Sequence, residues 1–105
     1  MGKKQVVIMP QTQEILSRLG ERIKFARLRR KLPVSLIAER AGISRATLWQ
    51  VENGSPSVAM GIYAAVLNGL GMASELNNVI KEDVLGKTLQ DLGLPMRKRA
   101  PKQDK

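Results

Sequence analysis

The stretch Val34–Gly54, VSLIAERAGISRATLWQVENG, decides the fold of this chain. Its pattern predicts a short helix, a sharp turn and a second short helix from about Ser44 to Asn53, which we call the reading helix. Gly42 stands where the turn needs a positive φ, which costs a residue with a Cβ roughly 1 kcal/mol or more. Ser44 is placed to cap the reading helix. Apolar residues at fixed positions predict the core between the two helices: Ile37, Ala38, Ala41, Ile43, Leu48 and Val51.

Further helices are predicted on both sides of this stretch. Residues 11–30 carry apolar side chains at three- and four-residue steps: Ile15, Leu16, Leu19, Ile23 and Ala26. Gly20 weakens that pattern, so the ordered helix begins either near Gln11 or near Leu19. Residues 58–70 are apolar on most faces and follow Ser57, a candidate cap. Residues 74–80 predict a short helix, and residues 82–92 predict one with four residues on one face: Val84, Leu85, Leu89 and Leu92.

These elements predict an all-α chain of four segments. Residues 1–10 form an arm, residues 11–77 a helix-turn-helix domain and residues 78–94 a helical extension. Residues 95–105 carry five basic residues and one acidic residue without apolar periodicity, which predicts a basic, disordered tail. In the arm, Val6–Met9 is either a short strand that pairs with a second chain or a loosely attached terminus. The stripe from Leu85 to Leu92 either packs on the domain's own core or forms a dimer or partner surface.

The composition favours a polyanionic partner. The chain has 105 residues, with 18 Lys and Arg against 9 Asp and Glu, which gives a formal net charge of +9. Such a field concentrates nucleic acid or anionic lipid at the protein surface. One Trp, one Tyr and one Phe are few for a protein that stacks single-stranded bases on aromatic side chains. Duplex DNA is therefore the better match.

The chain contains neither cysteine nor histidine. This removes disulfides, thiol nucleophiles, the usual zinc ligands and the usual neutral-pH general base, although catalysis by carboxylates or lysine stays open. We expect a protein that is not an enzyme and uses no metal or cofactor. No apolar run approaches the roughly 20 residues of a membrane span, and the N-terminal apolar run is too short for a signal peptide. The sequence therefore predicts a cytoplasmic protein that associates with the bacterial nucleoid.

The solvent face of the reading helix is the candidate for base contacts in the major groove. By helical spacing this face comprises Ser44, Arg45, Ala46, Trp49 and Gln50. Arg45 can bond guanine in bidentate fashion, Gln50 can do so with adenine, and Ala46 can touch a thymine methyl group. Trp49 either contacts DNA or lies against a neighbouring helix, and Thr47 is expected to face the first helix or to cap. Phosphate contacts are expected from the loop that follows, together with the next helix N-terminus: Asn53, Ser55 and Ser57.

Residues from Leu19-Gly-Glu-Arg-Ile23 to Leu70-Gly71 resemble the Xre and lambda-repressor class of five-helix DNA-binding domains. The resemblance implies that Arg27 pairs with Glu52. Glu52 is the sole acid of the reading helix and would repel phosphate unless neutralised, the alternative being an exposed surface residue. Where many members place a hydroxyl cap and a phosphate-binding glutamine, this chain has Pro33 and Val34. Backbone N–H groups would have to replace that contact.

Two further stretches, Gly54–Gly71 and LGKTLQDLGLPMRKR at 85–99, resemble HipB-type antitoxins. The resemblance implies a homodimer that represses its own operon and is tethered to a HipA-like serine/threonine kinase toxin, whose binding strengthens operator occupancy. In three-component versions a separate small protein neutralises the kinase. Two other functions stay open: a free-standing phage-type or host regulator of the Xre class, and a helix-turn-helix module that binds another protein. The net charge and exposed Arg45 favour DNA binding over the last.

Overall fold

The computed structural model describes residues 6–93, which form an all-α fold. It contains five α-helices: α1 (Pro10–Arg29), α2 (Val34–Ala41), α3 (Arg45–Glu52), α4 (Met60–Gly69) and α5 (Val84–Asp91). A 3-10 helix, Ala73–Asn78, lies between α4 and α5. The predicted fold class is confirmed. Residues 6–9 form no strand, and the predicted basic tail at 95–105 lies outside the described residues.

Local signals set the bounds of α2 and α3. Gly42 ends α2 with φ 69°, and the N–H of Ile43 donates to the Ala38 carbonyl, 2.9 Å away. This is the left-handed helix end that glycine favours. The Ser44 hydroxyl accepts a hydrogen bond from the Thr47 N–H at 3.0 Å and so caps α3. The predicted turn and cap are both present.

Helix α1 is continuous through Gly20, which corrects the expectation that this glycine weakens it. Gly20 is buried, and a Cβ there would lie 2.5 Å from the Gly54 nitrogen and 2.6 Å from the Val51 carbonyl oxygen. Gly54 in turn has φ 70°, and a Cβ on it would meet the backbone of Leu16. The two glycines let α1 approach the end of α3. Ile15, predicted on the buried face, is instead 58% exposed.

The core lies where α1 to α4 meet. Its four fully buried large side chains are Ile37, Leu48, Val51 and Val66. Helix α2 packs on α3 and α4, while α1 packs on α3. Ala41 and Ile43, predicted as core residues, are half-buried and pack against this cluster. The remaining buried apolar residues are Ile23, Ala26, Ala38, Tyr63, Leu67 and Leu70.

The chain after α3 departs from the predicted helix bounds. Helix α4 begins at Met60 and has no side-chain cap, so Ser57 is not its cap. The reason lies in the preceding turn, where the Ser57 N–H donates to the Ser55 hydroxyl at 3.2 Å. Further along, residues 73–78 wind into a 3-10 helix, and α5 contains no buried residue. Packing of the Leu85 to Leu92 stripe on the domain's own core is therefore not what the structure has.

Candidate nucleic-acid interface

Helix α3 has one buried side and one exposed side. Leu48 and Val51 are fully buried and fix the helix on the core. All five residues predicted to contact bases are exposed: Ser44, Arg45, Ala46, Trp49 and Gln50. Trp49 is 68% exposed, so among the described residues it does not pack into a neighbouring helix. A large aromatic side chain held in solvent on such a short helix is available for an external contact.

The N-terminus of α3 is held by a two-residue cap. The Ser44 hydroxyl lies 3.0 Å from the Thr47 hydroxyl as well as from the Thr47 N–H. Thr47 therefore supports the cap and is half-buried, whereas Arg45 and Ala46 project from the first turn without an internal role. The first turn of a recognition helix is the part that comes closest to base edges in this type of motif. The cap thus orders the residues with the greatest expected reach.

A buried ion pair joins the end of α3 to α1. Arg27 donates from Nε and Nη2 to the two carboxylate oxygens of Glu52, at 2.7 and 3.0 Å. Both side chains are less than a tenth exposed. The hydrogen bond from Arg27 to Glu52, supported by their electrostatic attraction, raises the pKa of Arg27 above its ordinary value, while burial opposes this. Arg27 also donates from Nη1 to the Leu32 carbonyl, at 3.1 Å.

The consequence of this pair is electrostatic. It neutralises the only acid of α3 and leaves Arg45 as the uncompensated charge on that helix. The alternative that Glu52 is simply an exposed surface residue does not hold. A fork-to-fork arginine–carboxylate contact also fixes orientation, because two parallel hydrogen bonds allow little rotation. The pair therefore fixes the orientation of the end of α3 relative to α1.

The three predicted phosphate-contacting residues follow α3 in one turn. Asn53 donates from Nδ2 to the Trp49 carbonyl at 2.8 Å, and its side chain is exposed. The Ser55 hydroxyl accepts from the Ser57 N–H, so its own proton remains able to donate. Ser57 is exposed. These groups form a polar turn beside the exposed face of α3 that can offer hydrogen-bond donors to an anion.

Two residues that the sequence did not single out hold this turn in place. Tyr63 is buried on α4, and its hydroxyl donates to the Ser55 carbonyl at 2.7 Å. Burial raises the pKa of Tyr63 above its ordinary value. Gln13 on α1 donates from Nε2 to the Gly54 carbonyl at 3.0 Å. The spacing of Tyr63 from Val66 and Leu70 was a usable signal for its burial, whereas nothing local marks Gln13.

The start of α2 has no side-chain cap, because Pro33 occupies that position. Helical hydrogen bonding begins with the Leu36 N–H, which donates to the Pro33 carbonyl at 3.1 Å. The N–H groups of Val34 and Ser35 precede it in the first turn, where helices leave donors without internal acceptors. Those donors are the groups that could replace the side-chain phosphate contact missing at Val34.

Within residues 6–93, no helix is both long and apolar enough to cross a membrane. The same part of the chain contains no group of three metal-ligating side chains.

Comparison with known proteins agrees with the geometry of α2 and α3. No curated protein matches the chain significantly. A family profile described as a helix-turn-helix domain matches residues 18–77, which is 60 of the 105 residues and extends from the middle of α1 to the 3-10 helix. The matched region includes the capped α3, the turn at Gly42 and the Arg27–Glu52 pair. The chain therefore belongs to the helix-turn-helix family of DNA-binding regulators.

Proposed function

We propose that this protein is a sequence-specific transcriptional repressor that reads operator DNA with α3. The observation that carries the proposal is the two-sided character of this helix. Leu48 and Val51 are buried, while Arg45, Trp49 and Gln50 are exposed on the other side. An α-helix fits the major groove, where each base pair presents its own pattern of donors and acceptors. The exposed side of α3 carries a guanidinium, an amide and an aromatic ring that can read such patterns.

Within this proposal each residue has a separate role. Arg45 bonds guanine, Gln50 bonds adenine and Ala46 touches a thymine methyl group. Trp49 packs on sugar and methyl groups, and Ser44 adds a contact near the helix start. Phosphates are bound by Asn53, Ser55 and Ser57 with the uncapped first turn of α4. The net charge of +9 draws the protein to DNA before these contacts form.

Selection from a random duplex library followed by sequencing tests this proposal and defines the operator motif in the same experiment. We expect one enriched motif and, on that motif, a loss of about 5- to 150-fold in affinity for Arg45→Ala, which corresponds to about 1–3 kcal/mol. The base preference at one position should relax. Lys87→Ala is the matched control, because it removes one positive charge from exposed α5 and should not alter base preference.

Two outcomes would contradict the base-reading role. If Arg45→Ala weakens binding equally on selected and random DNA, Arg45 is a phosphate contact. If the library yields no enriched motif, the protein does not recognise sequence, and a module that binds another protein becomes the better description. The salt dependence of binding separates the two, because phosphate contacts steepen it.

We further propose that the protein acts as the HipB-like member of a toxin–antitoxin system, as a homodimer that controls its own operon with a HipA-like kinase. What supports this is the sequence resemblance of Gly54–Gly71 and of residues 85–99. Purification of the native protein under mild conditions, followed by mass spectrometry, should recover a serine/threonine kinase. Footprinting of its own promoter with and without that kinase should show stronger protection with it. Recovery without any kinase would favour a free-standing regulator of the Xre class.

A further inference from the structure

Helix α5 carries an apolar stripe with no partner in the described part of the chain. The exposed fractions of its four large apolar residues are 72% for Val84, 68% for Leu85, 41% for Leu89 and 72% for Leu92. The helix has eight residues, and an isolated helix of that length is unstable in water. Its sequence is amphipathic, with Lys87 and Asp91 off the stripe. Helix α5 therefore needs an apolar surface to pack against.

The domain offers such a surface away from α2, none of whose residues lines it. An apolar groove of about 700 Å³ runs between α1, α4 and the 3-10 helix. Its lining includes Leu16, Leu19, Val58, Leu67, Leu76 and Val79. Ser55, one of the proposed phosphate contacts, also lines the groove, but no lining residue belongs to α3, so an occupant would leave the exposed side of α3 free. Leu19, which is 38% exposed, lies in the part that an occupant would cover.

The charges of the groove and of α5 are complementary. Two exposed arginines, Arg22 and Arg29, and one exposed acid, Glu75, contribute to the lining of the groove, so basic side chains outnumber acidic ones there. The segment 81–91 contains two lysines and three acids, so its net charge is −1 within a chain whose net charge is +9. Acidic Asp83 and Asp91 stand at the two ends of the stripe. The acidic residues at the two ends of this segment can therefore approach the arginines at the groove.

The linker between the 3-10 helix and α5 indicates which copy of the helix fills the groove. Val79 lines the groove, and α5 begins after only four more residues, Ile80–Asp83. Ile80 has φ 60°, a left-handed conformation that is strained for a β-branched residue. A short strained hinge hinders folding back in the same chain and favours exchange of the element between two chains.

We propose that two copies of this chain form a reciprocal dimer in which α5 of each copy docks its leucine stripe in the apolar groove of the other. The proposal deepens the proposed function, because a two-fold dimer presents two α3 helices to two half-sites. It rests on that function only in this respect. The interface itself is inferred independently of that function, from the apolar groove, the exposed stripe of α5 and the strained linker at Ile80.

Sedimentation equilibrium of the full chain and two variants tests this arrangement. The wild type should be a dimer. Leu89→Asp should damage the stripe and Leu19→Asp the groove, and each should raise the dimer dissociation constant at least about 30-fold, the effect of losing a central interface contact. Ile15→Asp is the matched control, since Ile15 is exposed on α1 but does not line the groove, and it should leave the dimer intact. Circular dichroism checks that every variant is folded.

Mixing the two damaged chains makes the test specific for exchange. The intact groove of Leu89→Asp should accept the intact α5 of Leu19→Asp, so the mixture should form a heterodimer although neither variant pairs with itself. A Leu19→Asp variant that still dimerises would overturn the groove as docking site in favour of direct contact between two α5 helices. A monomeric wild type would overturn the dimer, with α5 folded back on its own groove or a small apolar ligand bound there.

These outcomes are independent of the DNA experiment. If the library selection yields no motif but the mixed variants pair, the repressor proposal fails and the dimer stands. If a motif is selected and the wild type is monomeric, the dimer fails and the reading role of α3 stands. Monomeric Leu89→Asp should select the same half-site as the wild type, because α3 is unchanged.

Discussion

Replacement of Gly20 by alanine should destabilise the domain, although alanine is normally the better residue inside a helix. The propensity difference alone would stabilise α1 by about 1 kcal/mol. The structure reverses the sign. A Cβ at this position would lie 2.5 Å from the Gly54 nitrogen, about 0.9 Å closer than the 3.4 Å of an ordinary contact, and 2.6 Å from the Val51 carbonyl oxygen. Both neighbours are backbone atoms that cannot rotate away.

The size of the effect follows from these contacts. Overpacking of a tight interior site costs about 1–3 kcal/mol, and rigid backbone neighbours place this case at the upper end. After the gain in helix propensity, a net loss of about 2 kcal/mol remains, which corresponds to a decrease of about 8–16 °C in Tm for a domain of this size. Because Gly20 faces the end of α3, the variant should also weaken DNA binding through a displaced reading helix.

Urea denaturation followed by circular dichroism measures the free energy of unfolding. Gly61→Ala provides the matched control, because Gly61 lies in α4 and a Cβ there would meet nothing within 4 Å. We expect the control to stabilise the protein by about 0.4–1 kcal/mol. The reasoning is refuted if Gly20→Ala is as stable as the wild type, since α1 and α3 would then have room to separate freely.

Three further predictions concern the ion pair, the turn and the tyrosine. Glu52→Ala should lower the free energy of unfolding by about 3–5 kcal/mol because it strands the buried Arg27 charge, whereas Arg27→Met combined with Glu52→Leu should recover most of that loss in the same urea experiment. Gly42→Ala should cost about 1 kcal/mol from its positive φ alone, as its Cβ has space, and a smaller loss is expected for Gly42→Asn. Tyr63→Phe should cost about 1 kcal/mol near neutral pH through the lost bond to the Ser55 carbonyl. Burial raises the pKa of Tyr63 in the folded protein. The contribution of the Tyr63 hydroxyl to the free energy of unfolding is therefore complete below the unfolded pKa of about 10 and is lost as the pH rises through the folded pKa. The stabilities of Tyr63→Phe and the wild type should accordingly converge in alkaline solution.

Much of the fold could be predicted because its signals act within one helical turn. Gly42 adopts a positive φ that residues with a Cβ avoid, and Ser44 caps an N–H only three residues away. The solvent face of α3 followed from helical geometry once its start was known. The exposure of Arg45 therefore needed no information about distant parts of the chain, whereas the packing of the neighbouring helices decided that Trp49 is left exposed.

Other features depended on segments that lie far apart in sequence. Gly20 looked like a weakness in a helix because its partner, the end of α3, is more than thirty residues away. The start of α4 was misplaced because the Ser57 N–H bonds Ser55 within the preceding turn. No local sequence pattern singles out Gln13, because its role is to donate a hydrogen bond to the Gly54 carbonyl, 41 residues away.

The sequence by itself determined the helix-turn-helix, its caps and the side of α3 that faces solvent, because capping, turn chemistry and helical periodicity are local. Only the tertiary structure decided how closely α1 approaches α3 and that Arg27 and Glu52 share a buried bidentate contact. It also decided that the leucines of α5 are exposed while an apolar groove lies open between α1, α4 and the 3-10 helix. These properties depend on which surfaces meet. The amphipathic pattern of α5 shows that it must be covered, whereas what covers it depends on the shape, charge and reach of the folded chain.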